Sequence, residues 1–190
     1  MQRQPRFFRP RSSILGGAAL LALLSFSLIA AAKLNKTGSP TTTFKAAGPA
    51  GMSIDGSTSE MSVADDGSNV TITVPLANLK TGIEIRDKHT KDALEADKYP
   101  TVTLKVARSA LKFPAAGAES SGDAKGSMTL HGQTKDVTFH YTAKLDGDTF
   151  TVKGNTRVNV DDFGVKRPSY LGVTVKPDID IATNFQAKDN

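Results

Sequence analysis

The chain has 190 residues, 38% of them hydrophobic and 23% charged, which suits one domain with a sizeable core and excludes wholesale disorder and a polytopic membrane protein. Cysteine is absent, so disulfide bracing, a thiol nucleophile and a thiolate metal site are excluded as well. The formal charge of +5 sits in the leader: with Arg3, Arg6, Arg9 and Arg11 set aside, 20 basic residues face 19 acidic ones, and the lack of a later basic stripe argues against nucleic acid as a partner.

Ile14 to Ala32 is an uncharged, Leu/Ala-rich stretch that follows these arginines and closes in Ala30, Ala31 and Ala32 before Lys33. Basic n-region, apolar h-region and small-residue cleavage site come in the order of a secretory signal. A run of about 20 apolar residues is also long enough for an uncleaved anchor, so residues 1–32 are a signal peptide or a membrane anchor, with 14–32 as the tether in the second case. Ser25 and Ser27 weaken a span, and the alanines favour cleavage. In both cases the arginines hold the N-terminus in the cytoplasm and send the remainder to the periplasm or beyond.

Residues 33–43, rich in Thr, Ser, Gly, Asn and Pro without periodicity, are predicted to be a flexible linker, with the folded domain over 44–188. From there the chain repeats short segments of alternating apolar and polar residues, the period of strands with one buried face. Short strands are predicted at Met52–Ile54 and Glu60–Val63, and a clearer one where Val70, Ile72 and Val74 alternate with threonines. Ile83 to Ala96 breaks the pattern: Ile83, Ile85, His89, Ala93 and Leu94 are spaced for one face of a short helix. Val102, Leu104 and Val106 resume the alternation, followed by a short strand at Gly126–His131. Val137, Phe139, Tyr141, Ala143 and Leu145 then lead through Asp146-Gly147-Asp148 into Phe150, Val152, Gly154, Thr156 and Val158, a long hairpin. A final strand runs from Val173 to Phe185, with a bulge or unpaired spot expected at Pro177.

About eight strands joined by hairpin-like turns predict an all-β fold, an eight-stranded antiparallel barrel with one short helix. A barrel of about eight strands is wide enough for its own side chains or for one ligand. Alternation alone leaves a filled and a hollow barrel both open.

Four motifs occur in order along the chain. They are Thr81-Gly82 with Arg86-Asp87-Lys88-His89, Tyr99-Pro100-Thr101-Val102-Thr103-Leu104, Leu130-His131-Gly132-Gln133-Thr134-Lys135-Asp136-Val137, and Asp162-Phe163-Gly164-Val165. Together they resemble the YceI-like family of lipocalin-like, polyisoprenoid-binding exported proteins, over about Ala46 to Phe185. The resemblance implies an eight-stranded lipocalin-like barrel enclosing a tunnel for an isoprenoid-like amphiphile, with a helix after the Arg-Asp-x-His segment. The family's Trp-containing opening strand has no counterpart here, which predicts a tunnel mouth of different size.

Each methylene taken from water gains roughly 0.8 kcal/mol, so a chain in a dry barrel needs few polar contacts. Ile72, Val74, Leu104, Phe139, Tyr141, Val152, Val158 and Ile181 are the candidate lining, with plain core packing as the competing role. Arg86, His89, Lys166 and Arg167 are candidates to meet a polar head. His89, His131 and His140 are too scattered for a metal site, and His89 also suits a structural hydrogen bond. Asp161 and Asp162 point to opposite faces and suit a loop. The nucleophile elbow of a serine hydrolase is missing. No cofactor, metal or catalytic residue is expected. The partner expected is an isoprenoid or other lipid-like ligand, held without turnover; a homodimer stays open. The alternative is a structural or stress-response interaction module with a packed barrel.

Overall fold

The computed structural model describes residues 33–167, 169–170 and 173–189; the leader over 1–32 lies outside them. Its strands are β1 (Leu34–Ala47), β2 (Ser53–Thr58), β3 (Ser62–Asp65), β4 (Asn69–Pro75), β5 (Thr101–Ala107), β6 (Glu119–Leu130), β7 (Gln133–Asp146), β8 (Thr149–Asn159), β9 (Ser169–Tyr170), β10 (Val173–Thr174) and β11 (Asp178–Asp189), with helix α1 (Glu84–Ala93) between β4 and β5. Nine of the strands form one curled antiparallel sheet in the order β2-β1-β11-β8-β7-β6-β5-β4-β3, and β9 pairs with β10 separately. Among the described residues no helix is long and apolar enough to cross a membrane.

The fold class is the expected one, and the ninth strand comes from a bend. Ser53–Asp65 behaves as a single run whose first half pairs with β1 and whose second half pairs with β4. At the bend the Thr58 hydroxyl accepts from the Glu60 amide at 3.1 Å, which breaks the ladder, and Met61 turns into the core. The two edges of the sheet are therefore consecutive in the chain.

The linker predicted over 33–43 is instead the first half of β1. Its backbone pairs with β11 from Leu34↔Asp189 onward, with a register shift between Thr37 and Thr41. Ladder bonds are made by main chain, so a threonine-rich segment pairs as well as an apolar one. The Gly38-Ser39-Pro40 irregularity also scrambles the alternation by which a strand would be recognised. At the other end the final strand expected from Val173 begins instead at Asp178, just after Pro177, which has no amide hydrogen to give a ladder; Val173 and Thr174 belong to β10 and pair with β9 outside the main sheet. The hairpin turns at Gly147 and Asp148, with Asp146 paired to Thr149.

Inward side chains form two clusters. One packs Leu34, Met61, Val70, Phe150, Phe185 and Ala187 at the end where β7 turns into β8. The other packs Met128, Leu130, Val158, Val160, Phe163 and Val165 at the end near α1. Phe163, 2% exposed, is the most deeply buried large side chain. Phe163→Ala is expected to cost about 3–5 kcal/mol, read as a lower urea midpoint at unchanged slope; a loss well under 1 kcal/mol would show that this cluster carries little of the fold.

Candidate functional site

The inward faces of the strands enclose a cavity of about 240 Å³ whose surface is almost wholly apolar. All eight positions selected by alternation line it: Ile72 and Val74 from β4, Leu104 from β5, Phe139 and Tyr141 from β7, Val152 and Val158 from β8, and Ile181 from β11. Phe44, Met61, Leu79, Met128 and Leu130 line it as well and were missed, as were Thr42, Thr156 and Thr183. Counting by two from Phe44 and from Phe185 would have found the two threonines of β1 and β11, which apolar content alone passes over.

Several polar groups that border the cavity are satisfied within the protein. The Thr42 and Thr183 hydroxyls lie 3.2 Å apart, and the Thr156 hydroxyl donates to the Thr138 carbonyl at 2.8 Å. The Tyr141 oxygen accepts from the Lys112 amide at 2.6 Å, so its ring faces inward while its polar end is engaged outside. Along these strands a guest therefore meets mostly hydrocarbon, and displaces none of these paired groups.

Of the four head-group candidates, Arg167 lines the cavity. Its Nε donates to Asp161 and its Nη1 to the Val175 carbonyl, each at 2.8 Å, which leaves Nη2 without a partner among the described residues. Lys166 is exposed next to it. Arg86 is half-buried and His89 exposed on α1, and neither borders the cavity.

The helix is present where expected, but only the C-terminal part of its expected face, Ala93 and Leu94, turns inward. Ile85 is 60% exposed and Ile83 is exposed too, while Thr90, Ala93 and Leu94 border the cavity. What fixes this rotation is Asp87, whose carboxylate receives both the hydroxyl (2.6 Å) and the amide (2.5 Å) of Thr81, with Lys80 at 3.8 Å. Thr81-Gly82 and Arg86-Asp87 are thus two halves of one clamp on the first turn of α1. Past the helix, Tyr99 stands edge-on to His131, ring centroids 4.8 Å apart. His131 Nδ1 lies 3.2 Å from the Phe163 carbonyl and Nε2 lies 3.3 Å from Glu95. Gly132 (φ +72) gives the Tyr99 ring its place, since a Cβ there would meet it at 2.5 Å. His140 is solvated on the outer face, between Asp123 and Ser121.

A small curled antiparallel barrel with an apolar lumen and a single cation bordering it among the described residues is the class of protein these features define. The chain belongs to the family of YceI-like domains, whose model matches residues 33–187. A UPF0312 protein of Pseudomonas putida is 31% identical over 135 residues, covering 67% of this chain and 68% of the relative; one of Pseudomonas fluorescens is 32% identical over 135 residues, with the same coverage. Among solved structures, a polyisoprenoid binding domain from Saccharophagus degradans superposes with a TM-score of 0.69 at 14% identity, over 84% of this chain and 99% of that one. Burkholderia cenocepacia BcnA gives 0.60 at 19% identity, over 77% and 96%.

The Thr81 hydroxyl, then its amide, with Lys80 adding to them, hold the Asp87 carboxyl below its ordinary 3.8. A depressed carboxyl stabilises the fold above its unfolded value, and that contribution is lost as pH falls through the folded one. Asp87→Asn should therefore melt lower than wild type at neutral pH, with the gap closing as the pH drops below 3.8; thermal melts between neutral and acidic pH check this, and a gap independent of pH would mean that Asp87 acts by shape alone.

Proposed function

We propose that this chain is an exported carrier that holds an isoprenoid-like chain in its barrel, without turnover. The carrying observation is the lumen: about 240 Å³ of apolar space along which the hydroxyls of Thr42, Thr156 and Thr183 and the Tyr141 oxygen are already paired with one another or with main chain. A packed interaction module has no use for such a space, and the hollow barrel favours the carrier over it. The Saccharophagus degradans polyisoprenoid binding domain shares the fold and supports the choice of guest. The chain would lie among the eight alternating residues, with its polar head at Arg167 and Lys166 within reach; Arg86 and His89 would serve only a head that extends over α1. The leader would be cut after Ala32 and the domain released outside the cytoplasm.

Native mass spectrometry of gently purified protein is expected to show a hydrophobic ligand, or uptake of an isoprenoid quinone or prenyl phosphate after delipidation. Protein that comes clean and takes up neither is not a carrier. Gly154 borders the lumen, and a Cβ there would meet only ordinary contacts, Thr183 at 3.4 Å and the His140 carbonyl at 3.8 Å; Gly154→Leu should fill the space and weaken prenyl binding by about tenfold or more. Arg167→Gln should weaken a prenyl phosphate about tenfold more than the matching alcohol, the worth of a charged hydrogen bond. Equal losses for both would move the head elsewhere. Intact mass of the exported protein checks the leader, with Lys33 expected as the first residue.

A further inference from the structure

The lumen has a floor, and the floor sets a length. Of the cluster at the β7–β8 turn, Met61 and Phe185 border the cavity, whereas Leu34, Val70, Phe150 and Ala187 do not. Ala187 is 0% exposed and Phe150 is buried, and Leu111 and Leu145 pack against this layer from outside the cavity. The strands run on past Phe185, since β11 reaches Asp189 and β7 reaches Asp146. That stretch of the barrel is filled with protein. The opposite cluster is open by contrast: Met128, Leu130, Val158, Val160 and Val165 all border the cavity. A chain whose head meets Arg167 would therefore run toward Phe185 and stop there.

Resting on the carrier reading, we infer that the barrel is a ruler for short prenyl chains. At between about 10 and about 30 Å³ per water-sized group, the cavity of about 240 Å³ holds about 8–24 of them. A methylene is of similar size, so the guest is a chain of roughly two to five isoprene units. Carbons beyond that number stay outside the mouth and add nothing.

Delipidated protein titrated with prenyl alcohols of about 10, 20 and 40 carbons tests this, each methylene that reaches the lumen adding about fourfold to affinity. Affinity is expected to rise from the first to the second and to change by less than about tenfold from the second to the third. Phe185→Ala, which lowers the floor, should move the plateau to a longer chain; Val152→Phe, which raises it, should move the plateau to a shorter one, so that one variant reports even where the other fails to fold. A 40-carbon chain that binds far tighter than a 20-carbon one, or a plateau that neither variant moves, overturns the ruler while leaving a carrier. Failure to bind at any length removes carrier and ruler together.

Discussion

The structure depends on closing a sheet that does not close by ladder alone. β2 and β3 are its two edges, and an unpaired edge beside a hydrophobic face invites other chains. The bent run from Ser53 to Asp65 turns both edges toward β1, and the seam is fixed by one carboxylate. Asp65, its side chain fully buried, accepts from the Leu34 amide at 3.1 Å and from Arg108. Arg108 also reaches Asp189 at the end of β11, at 3.7 Å. A buried carboxylate is tolerated only when paired and hydrogen-bonded; here the pairing draws together β1, β3, the segment after β5, and β11. With the seam held, the inward faces of all the strands look at one axis, and a lumen exists.

A lumen stays apolar only when its polar groups have partners elsewhere. The threonine pair and the Tyr141 oxygen bonded to the Lys112 amide each remove a group that would otherwise hold water inside. The same economy governs the end near α1, where Asp87 is spent on Thr81 and His131 on the Phe163 carbonyl. The family motifs in this chain are mostly closure devices of this kind. Thr81-Gly82 with Asp87 sets the helix, His131-Gly132 seats Tyr99, and the Asp162-Phe163-Gly164 turn places Phe163 in the core. Closure needs a few side chains while the ladders need none.

Those motifs and the alternation made much of the fold legible. The inward residues of β4, β5, β7, β8 and β11 follow from counting by two, and the helix from the break in that count. The first half of β1 was not legible, because its pairing is carried by main chain and its side chains are threonine, serine and glycine. The N-terminal part of β6 was missed likewise, where Glu119 to Lys125 carries serine and glycine on a strand fully paired with β7. The face of α1 was misjudged because two exposed isoleucines look apolar, while the residue that fixes the rotation is an aspartate. A buried carboxylate has no signature in periodicity; it needs its partner Thr81, six residues away, brought round by the turn at Gly82.

Whether the barrel is hollow was undecidable from polarity, yet side-chain size along the axis carries that information. Cross-strand register places Gly122, Tyr141, Gly154, Thr183 and Thr42 in one row around the sheet. Four of these five are glycine or threonine, and the fifth sends its oxygen outward. Toward the β7–β8 turn the neighbouring rows hold Val152 against Phe185 and then Phe150 against Ala187 and Leu145. Toward α1 they hold Thr156 against Ile181 and Val158 against Ile179. Close packing tolerates few voids, and this waist of small residues is where the barrel leaves space at its axis. Hydrocarbon would fit that waist at less cost than water, which would find few hydrogen-bonding groups free there.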